Sequence, residues 1–363
     1  MLFIMSKGLH ILFSLLVLNF VTAINFNKTR DEKFLGAASP FTVARFANTD
    51  CDRDLHTGTC YTAWDCHTGV TGSNELFDTS TASKCQSGLG LCCVTILSCG
   101  STSKNNNTYL RSPGFNGHFN YGLDCTQSIK IDDSICQLRL EINTLELNYP
   151  NNQGKCVDDY VKVNHDIKFE YLCGVSQNTH FYLDVDSDEN ESVDFFFHTS
   201  STVSFNRQWD IRVQKIMCNT DAEVMRGCGQ YFTGTSGNIR GMNMAGATSG
   251  SYVINNLNYA VCVRMELGYC EIYYSEGGNA WLPQCPDVFM RPGNTDSGAP
   301  KTEKCADGTS SVPTSYTFTY LAPHIFWLDT TRDNANEHYA YTSSTPNNWG
   351  SYDINYVASK TCS

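Results

Sequence analysis

The chain has 363 residues, of which 41% are hydrophobic and 17% are charged, and its formal net charge is −12. A protein with this charge is repelled by phosphate backbones and anionic lipids, so nucleic acids and anionic membranes are excluded as predicted partners. The length is sufficient for two or three domains, and the 18 cysteines are typical of a disulfide-bonded extracellular protein.

Residues 1–23 have the pattern of a secretory signal peptide. Lys7 precedes an apolar run that ends at Val21–Ala23, with small residues at the two positions that signal peptidase reads. The run is shorter than the about 20 apolar residues of a membrane-spanning helix. We therefore expect a secreted protein without a membrane span, in which residues 24–50 form a linker or strand-like arm; the alternative is an uncleaved anchor.

The cysteines fall into three groups of six along the chain. The second and third groups have the same rhythm of long and short intervals, which indicates an internal repeat. The first group is Cys51, Cys60, Cys66, Cys85, Cys92 and Cys93; the second is Cys99, Cys125, Cys136, Cys156, Cys173 and Cys218; the third is Cys228, Cys262, Cys270, Cys285, Cys305 and Cys362.

The segment 51–93 is rich in Gly, Thr, Ser and Asp and has too few apolar residues for its own core. Such a module needs disulfides to hold one shape. Adjacent cysteines do not reach normal disulfide geometry without strain, so Cys92 and Cys93 are predicted to bond two different upstream cysteines.

The rest of the chain has the alternation of half-buried β-strands. In "CQLRLEINTLEL", "WDIRV" and "YAVCVRMEL" every second residue is apolar, and "YTFTY" at residues 316–320 has the same period. Short strands separated by Gly, Asn, Asp and Pro predict an all-β protein built of antiparallel sandwiches. The residues predicted to point inward are Leu138, Leu140, Ile142, Trp209, Ile211, Val213, Val261, Val263 and Met265.

Residues 99–218 contain the segments "CGSTSKNNNTYLRSPGF", "GLDC", "CVDDYVKV", "YLCG" and "WDIRVQKIMC". In this order and spacing, the segments resemble a CUB domain. Residues 228–362 are similar to a divergent second CUB-like domain of secreted arthropod proteins, and residues 51–93 resemble the small clip-type knot that precedes such units. The architecture implied is thus a clip-like module followed by two tandem CUB-like sandwiches.

The resemblance also implies a disulfide pairing. Cys136–Cys218 has separate support, because Cys136 begins one inward-alternating strand and Cys218 ends another. The implied pairs are Cys51–Cys92, Cys60–Cys85, Cys66–Cys93, Cys99–Cys125, Cys136–Cys218, Cys156–Cys173, Cys228–Cys262, Cys270–Cys362 and Cys285–Cys305.

Many CUB domains hold one calcium ion at a loop edge, and the resemblance implies candidate ligands here. Glu146 and Asp159 match the first two acids, and Tyr121 matches the tyrosine that positions them. The stretch that normally carries the final aspartate reads Thr199–Ser201, so a carboxylate is missing and calcium would bind weakly. No cofactor is required, and with only Asp287 near the equivalent place the second unit is expected to hold no ion.

The sequence gives no catalytic constellation. Gly293–Pro300, "GNTDSGAP", is similar to a serine-protease nucleophile loop, but the base and the orienting acid of a triad have no counterpart, so Ser297 is predicted to lie at a loop tip. The acids Asp184, Asp186 and Asp188 have EF-hand-like spacing without the required glycine and glutamate, which favours a solvated hairpin loop. We predict that the protein is not an enzyme.

The predicted function is binding. We expect a secreted glycoprotein, with glycans at the sequons of Asn27, Asn106 and Asn190, that binds extracellular proteins. Its role would be that of an adaptor or cofactor in an extracellular proteolytic or immune pathway. The alternative is a structural protein of the extracellular matrix or cuticle.

Overall fold

The computed structural model describes ten ranges of the chain, in which 56% of the residues lie in β-strands and 4% in helices. The predicted all-β class is therefore confirmed. The α-helix, α1, covers Ala63–Thr68, and Thr62 caps it by accepting a hydrogen bond from the amide of Asp65. None of the described helical segments has the length and apolar character needed to cross a membrane. The described ranges are 47–54, 56–71, 84–151, 154–164, 171–185, 191–243, 254–276, 315–319, 324–329 and 353–360.

The strands of these ranges are numbered in chain order. They are β1 (Asp50–Arg53), β2 (His56–Tyr61), β3 (Val70–Thr71), β4 (Lys84–Cys85), β5 (Gly90–Cys93), β6 (Thr95–Leu97), β7 (Thr102–Ser103), β8 (Thr108–Arg111), β9 (Leu123–Lys130), β10 (Ile135–Glu146), β11 (Asp159–Val163), β12 (Val175–Asp184), β13 (Ser192–Thr199), β14 (Gln208–Met217), β15 (Cys228–Phe232), β16 (Ser236–Arg240), β17 (Asn258–Val263), β18 (Glu271–Glu276), β19 (Ser315–Thr319), β20 (His324–Asp329) and β21 (Asp353–Ser359).

The first sandwich consists of two five-stranded sheets, with the orders β12-β10-β14-β8-β6 and β11-β13-β9-β7-β3. Their inner faces meet in one core, where the rings of Phe197 and Trp209 stack with centroids 4.3 Å apart. The predicted alternation is confirmed on β10 and β14. Their buried inward residues are Leu138, Leu140, Ile142, Trp209, Ile211 and Val213.

The second sandwich has a sheet of order β15-β17-β20 and another of order β16-β21-β18-β19. Val261 and Val263 are buried as predicted, but β17 ends at Val263, two residues before Met265. The alternation is also incomplete, because the opposite face of β17 is buried too, where Ala260 and Cys262 lie in a cluster with Tyr182 of β12. The predicted strand at 316–320 is present as β19, displaced by one residue.

The N-terminal module is a sheet of order β1-β2-β5-β4, and its strands do not form an isolated unit. The short strand β3, which lies between α1 and β4 in the chain, pairs with β7 and so extends a sheet of the first sandwich. The side chain of Asn107 donates from Nδ2 to the Asp50 carboxylate at 2.8 Å and to Thr59 Oγ1 at 3.0 Å. Tyr109 Oη donates to the carbonyl of Thr57 and accepts from its amide. In the described part of the module the buried hydrophobic residues are cysteines, and the module is held to the sandwich by polar contacts and by the β3–β7 pairing.

Seven disulfides lie within the described residues, and their pairs are those that the resemblance implies. Cys270 is also disulfide-bonded, whereas the pair Cys285–Cys305 and the residue Cys362 lie outside the described ranges. The seven bonds are Cys51–Cys92, Cys60–Cys85, Cys66–Cys93, Cys99–Cys125, Cys136–Cys218, Cys156–Cys173 and Cys228–Cys262.

The two sandwiches share a buried interface that forms along β12. His180 on β12 donates from Nε2 to the carbonyl of Tyr231 at 2.9 Å, and its ring lies 4.9 Å from that of Phe232. Burial of the imidazole, assisted by the charge of Arg139, lowers the pKa of His180 from 6.5 to about 4. His180 is therefore a neutral structural group at physiological pH.

Asp184 belongs to the same interface rather than to a solvated loop. Its carboxylate accepts from Gln137 Nε2 and from the amide of Gly227, both at 2.8 Å. The hairpin-loop prediction is wrong for this residue, because it ends β12, bonds Gln137 of β10 in the same sheet and reaches the start of the second sandwich through Gly227. Asp186 and Asp188 lie outside the described residues.

Candidate functional site at a loop edge

The edge predicted to hold calcium is built around a buried ion pair between Asp159 and Arg207. Asp159 begins β11, beside the end of β13, and Arg207 immediately precedes β14. Arg207 donates from Nε to Asp159 Oδ2 at 2.7 Å and from Nη2 to Oδ1 at 2.9 Å. Both side chains are 0% exposed. A bidentate pair of this kind is one of the stronger hydrogen-bonded arrangements in proteins.

The Asp159 carboxylate has further partners in the backbone. Oδ2 accepts from the amide of Asn148 at 2.8 Å, and Oδ1 accepts from the amide of Ser200 at 2.9 Å. Each oxygen therefore accepts two hydrogen bonds, which fills the four acceptor positions of a carboxylate. Asp159 joins three segments of the edge through these contacts.

The guanidinium of Arg207 also donates to the backbone of the loop that leads into β14. Nη2 donates to the carbonyls of Ser200 and Val203, both at 3.0 Å, and Nη1 donates to the carbonyl of Phe205 at 3.2 Å. The backbone of Arg207 also exchanges hydrogen bonds with Phe119, at 2.8 and 3.1 Å. The guanidinium thus holds this loop through hydrogen bonds to three of its carbonyl oxygens.

The other two predicted site residues have different partners. Glu146 Oε2 lies 2.7 Å from Nε2 of His118. Tyr121 is 51% exposed, its ring packs 5.0 Å from that of Phe119, and its carbonyl accepts from Thr199 Oγ1.

These residues do not fit a calcium ion. Calcium requires six to eight oxygen ligands, whereas both oxygens of Asp159 are already saturated by N–H donors and Glu146 is paired with His118. Ser200, in the stretch where the resemblance places a third acid, contributes its amide and its carbonyl to the ion pair instead. Within the described ranges, no three His, Cys, Asp or Glu side chains are grouped to hold a metal.

The outer surface of the edge is partly apolar. Val157 is 58% exposed, two residues before the buried Asp159, and Tyr121 lies beside the end of β13. The neighbouring Asp158 carboxylate accepts from Asn148 Nδ2 at 3.2 Å. The edge therefore includes an exposed aromatic and an exposed aliphatic side chain together with a fully hydrogen-bonded ion pair.

Sequence reasoning missed Arg207. Its partner Asp159 lies 48 residues away in sequence, so no local spacing links the two. The available signal was a charged residue placed immediately before an inward-alternating strand, at "NRQWDIRV". Such a residue enters the core region and needs a buried partner of opposite charge.

The remaining predicted sites are partly outside the described residues. Asn106 is half-buried, and its Oδ1 accepts from the amides of Lys215 and Asn107. Glycosylation at this sequon stays a prediction, as it does at Asn27 and Asn190, which lie outside the described ranges together with Ser297 and Asp287.

Comparison with known families and structures gives the following matches. A CUB domain model matches residues 99–212, and an animal CUB domain model matches residues 225–339. No curated protein matches the chain.

Three solved structures illustrate the structural likeness. The CUB1-EGF-CUB2 domain of human MASP-1/3 is 13% identical, with 70% of this chain and 100% of that chain covered and a TM-score of 0.23. The CUB1-EGF-CUB2 domains of rat MASP-1 are 12% identical, with 73% of this chain and 100% of that chain covered and a TM-score of 0.24. The full extracellular region of zebrafish Gpr126/Adgrg6 is 14% identical, with 75% of this chain and 34% of that chain covered and a TM-score of 0.26. With TM-scores this low, these likenesses carry no conclusion about partners.

Proposed function

Because the chain contains two CUB domains, we propose that it is a secreted, non-catalytic protein that binds other extracellular proteins. Its disulfides suit an oxidising compartment, where bonds of this kind form and persist. The fold alone identifies no partner, so the proposal depends on a specific surface.

The observation that supports a binding role most directly is the loop edge of the first CUB domain. Tyr121 and Val157 of this edge are 51% and 58% exposed, and the Asp159–Arg207 pair holds the buried part of the edge. Exposed tyrosines are over-represented among residues that dominate binding energy. A rigid base lowers the entropy lost on association, because the contact residues are ordered before the partner arrives.

The N-terminal module supports a role as adaptor or cofactor. The module is anchored to the first CUB domain through Asn107 and Tyr109, so the two present their surfaces as one body. Trp64 on α1 is 75% exposed and offers a second contact residue. We infer that the pathway is extracellular and proteolytic or immune, from the resemblance of the module to clip-type knots.

A capture experiment with matched variants tests this function. The immobilised full chain is exposed to extracellular fluid, and each captured protein is identified and its affinity measured. We expect Tyr121→Ser and Val157→Ser each to weaken the affinity by about tenfold or more. Leu267→Ser, at a residue that is 99% exposed in the second CUB domain, is the control and should leave the affinity unchanged.

Two outcomes would contradict the proposal. Equal affinity of wild type and edge variants would remove the loop edge as the contact surface. Sedimentation of the protein with insoluble matrix, with release only by denaturant, would favour the alternative of a structural matrix protein.

A further inference from the structure

The buried part of the loop edge is arranged like a cation-binding site in which the cation is the Arg207 guanidinium of the chain itself. Around the Arg207 guanidinium lie both carboxylate oxygens of Asp159 and the carbonyl oxygens of Ser200, Val203 and Phe205. Carboxylate and carbonyl oxygens gathered from separate segments are the ligands that hard cations take in proteins. Here each of these oxygens accepts a hydrogen bond from the same side chain.

We propose that the Arg207 guanidinium takes the place of a structural metal ion, so that the first CUB domain assembles its loop edge without calcium. This inference goes beyond the binding role, and it holds whether or not the edge contacts a partner. Any contact made by this edge is then insensitive to chelators.

Charge and burial support the substitution. Asp159 and Arg207 are both 0% exposed, and a buried carboxylate without a countercharge would be strongly destabilising. One guanidinium neutralises one carboxylate, which matches an edge where the third acid is replaced by Ser200. A divalent ion would leave a net positive charge in this buried place, and it would have to displace five hydrogen bonds.

The geometry further requires arginine rather than any cation. Lysine is a point charge with three donors, whereas the planar guanidinium reaches two carboxylate oxygens and several carbonyls at once. The five contacts of Arg207 span 2.7 to 3.2 Å and include both carboxylate oxygens of Asp159 and three carbonyl oxygens. The conservative Arg207→Lys change therefore separates the role of charge from that of geometry.

Calcium titration of the full wild-type chain is the first test. We expect no saturable heat by calorimetry and the same melting temperature in calcium and in chelator. Extracellular calcium modules bind with dissociation constants of about 0.1 to 1 mM, so titration to several millimolar covers that range. Saturable binding that is lost in Asp159→Asn would overturn the proposal, and this test depends on no variant of Arg207.

Hydrogen exchange tests the organising role of Arg207. The amides of Asn148 and Ser200 donate to Asp159, so their exchange reports whether the edge is assembled. We expect Arg207→Lys to accelerate exchange at these amides by about tenfold or more, with no recovery on adding calcium. The control is Arg264→Met, which removes the exposed pair of Arg264 with Glu266 and should leave both amides unchanged.

Two results of this second test would count against Arg207. Wild-type exchange rates in Arg207→Lys would show that the guanidinium does not organise the edge. Protection restored by calcium in that variant would show that the edge retains a functional metal site. A double change, Asp159→Leu with Arg207→Met, should destabilise the protein less than either single change, because each single change leaves a buried unpaired charge and the double change leaves none.

Discussion

Trp209 has the largest fully buried side chain of the described residues. It stacks on Phe197 at an interplanar angle of 4°, and its Nε1 donates to Gln127 Oε1 at 3.3 Å. Trp209→Ala should therefore lower the free energy of unfolding of the first CUB domain by about 3–5 kcal/mol, through lost burial and the cavity left behind. Guanidinium unfolding monitored on this domain measures the loss.

The matched control for Trp209 is Trp64→Ala. Trp64 is 75% exposed, so its removal should change the free energy of unfolding by no more than about 0.5 kcal/mol. A loss below about 1 kcal/mol in Trp209→Ala would mean that the tryptophan is not the centre of the core.

His180 makes stability depend on pH. Its pKa is lowered to about 4 in the folded protein, so the unfolded chain takes up a proton on this imidazole at a higher pH than the folded protein does. The free energy of unfolding is therefore highest, as far as His180 is concerned, above pH 6.5, and it decreases as the pH falls toward 4. The total effect is about 3 kcal/mol.

A glutamine variant isolates the contribution of His180. In His180→Gln the side-chain amide nitrogen can still donate to the carbonyl of Tyr231, but nothing at this position titrates. We expect the variant to lose less stability than wild type between pH 7 and pH 4.5, measured by unfolding at each pH. The same loss in both proteins would show that His180 is not the titrating group.

The functional residues show the limit of sequence reasoning at this scale. Asp159 could be singled out from its place after Cys156, but its partner could not, because pairing with Arg207 is decided by tertiary structure. Glu146 was grouped with Asp159 by resemblance, whereas in the fold it contacts His118. Spacing identifies candidate acids without identifying the group that neutralises them.

At the scale of elements, strand periodicity was the most reliable signal. The inward residues of β10 could be predicted because a sheet with one buried face imposes a period of two. On β17 the period failed at Cys262, since this face of the strand is also buried, in a cluster with Ala260 and with Tyr182 of the first sandwich. The pairing of β3 with β7 was not predictable, because a two-residue strand has no period.

The Cys136–Cys218 disulfide connects the beginning of β10 to the segment after β14, two neighbouring strands. It closes a sequence separation of 82 residues, for which the chain-entropy model gives about 4 kcal/mol of stabilisation. Cys136→Ala together with Cys218→Ala should therefore lower the free energy of unfolding by that order. A loss below about 1 kcal/mol would indicate that other bonds already constrain the unfolded chain.

At the scale of the whole molecule, the N-terminal module depends on the first CUB domain. Asn107 has a positive φ of 51° and donates to Asp50, Gly58 and Thr59 of the module. Asn107→Ala removes these donors and places alanine in a left-handed conformation, which asparagine tolerates better. We expect a loss of about 1–3 kcal/mol and faster amide exchange in β2.

The control for the module is Asn164→Ala. Asn164 is exposed and bonds Asp194 within the first CUB domain, far in sequence from the module. Its replacement should leave exchange in β2 unchanged. Unchanged exchange in Asn107→Ala would contradict an anchoring role for that residue.

The cysteine groups predicted a division of the chain into modules, but they carried no information on how neighbouring parts of the chain contact one another. Contacts such as Asp184 with Gly227 use polar groups that look like ordinary loop residues in sequence. A carboxylate is predicted to be solvent-exposed when no donor lies near it in the sequence. In the fold, donors that are distant in sequence come within hydrogen-bond distance of it.

The Asp159–Arg207 pair also constrains the order in which the chain folds. Neither charge can leave water before the other is in place, because an isolated buried ion is too costly. We therefore expect the edge of β11 and the segment before β14 to close together, although 48 residues separate the partners. We also expect dehydration of this pair to follow the initial collapse, because contacts between residues far apart in sequence form slowly.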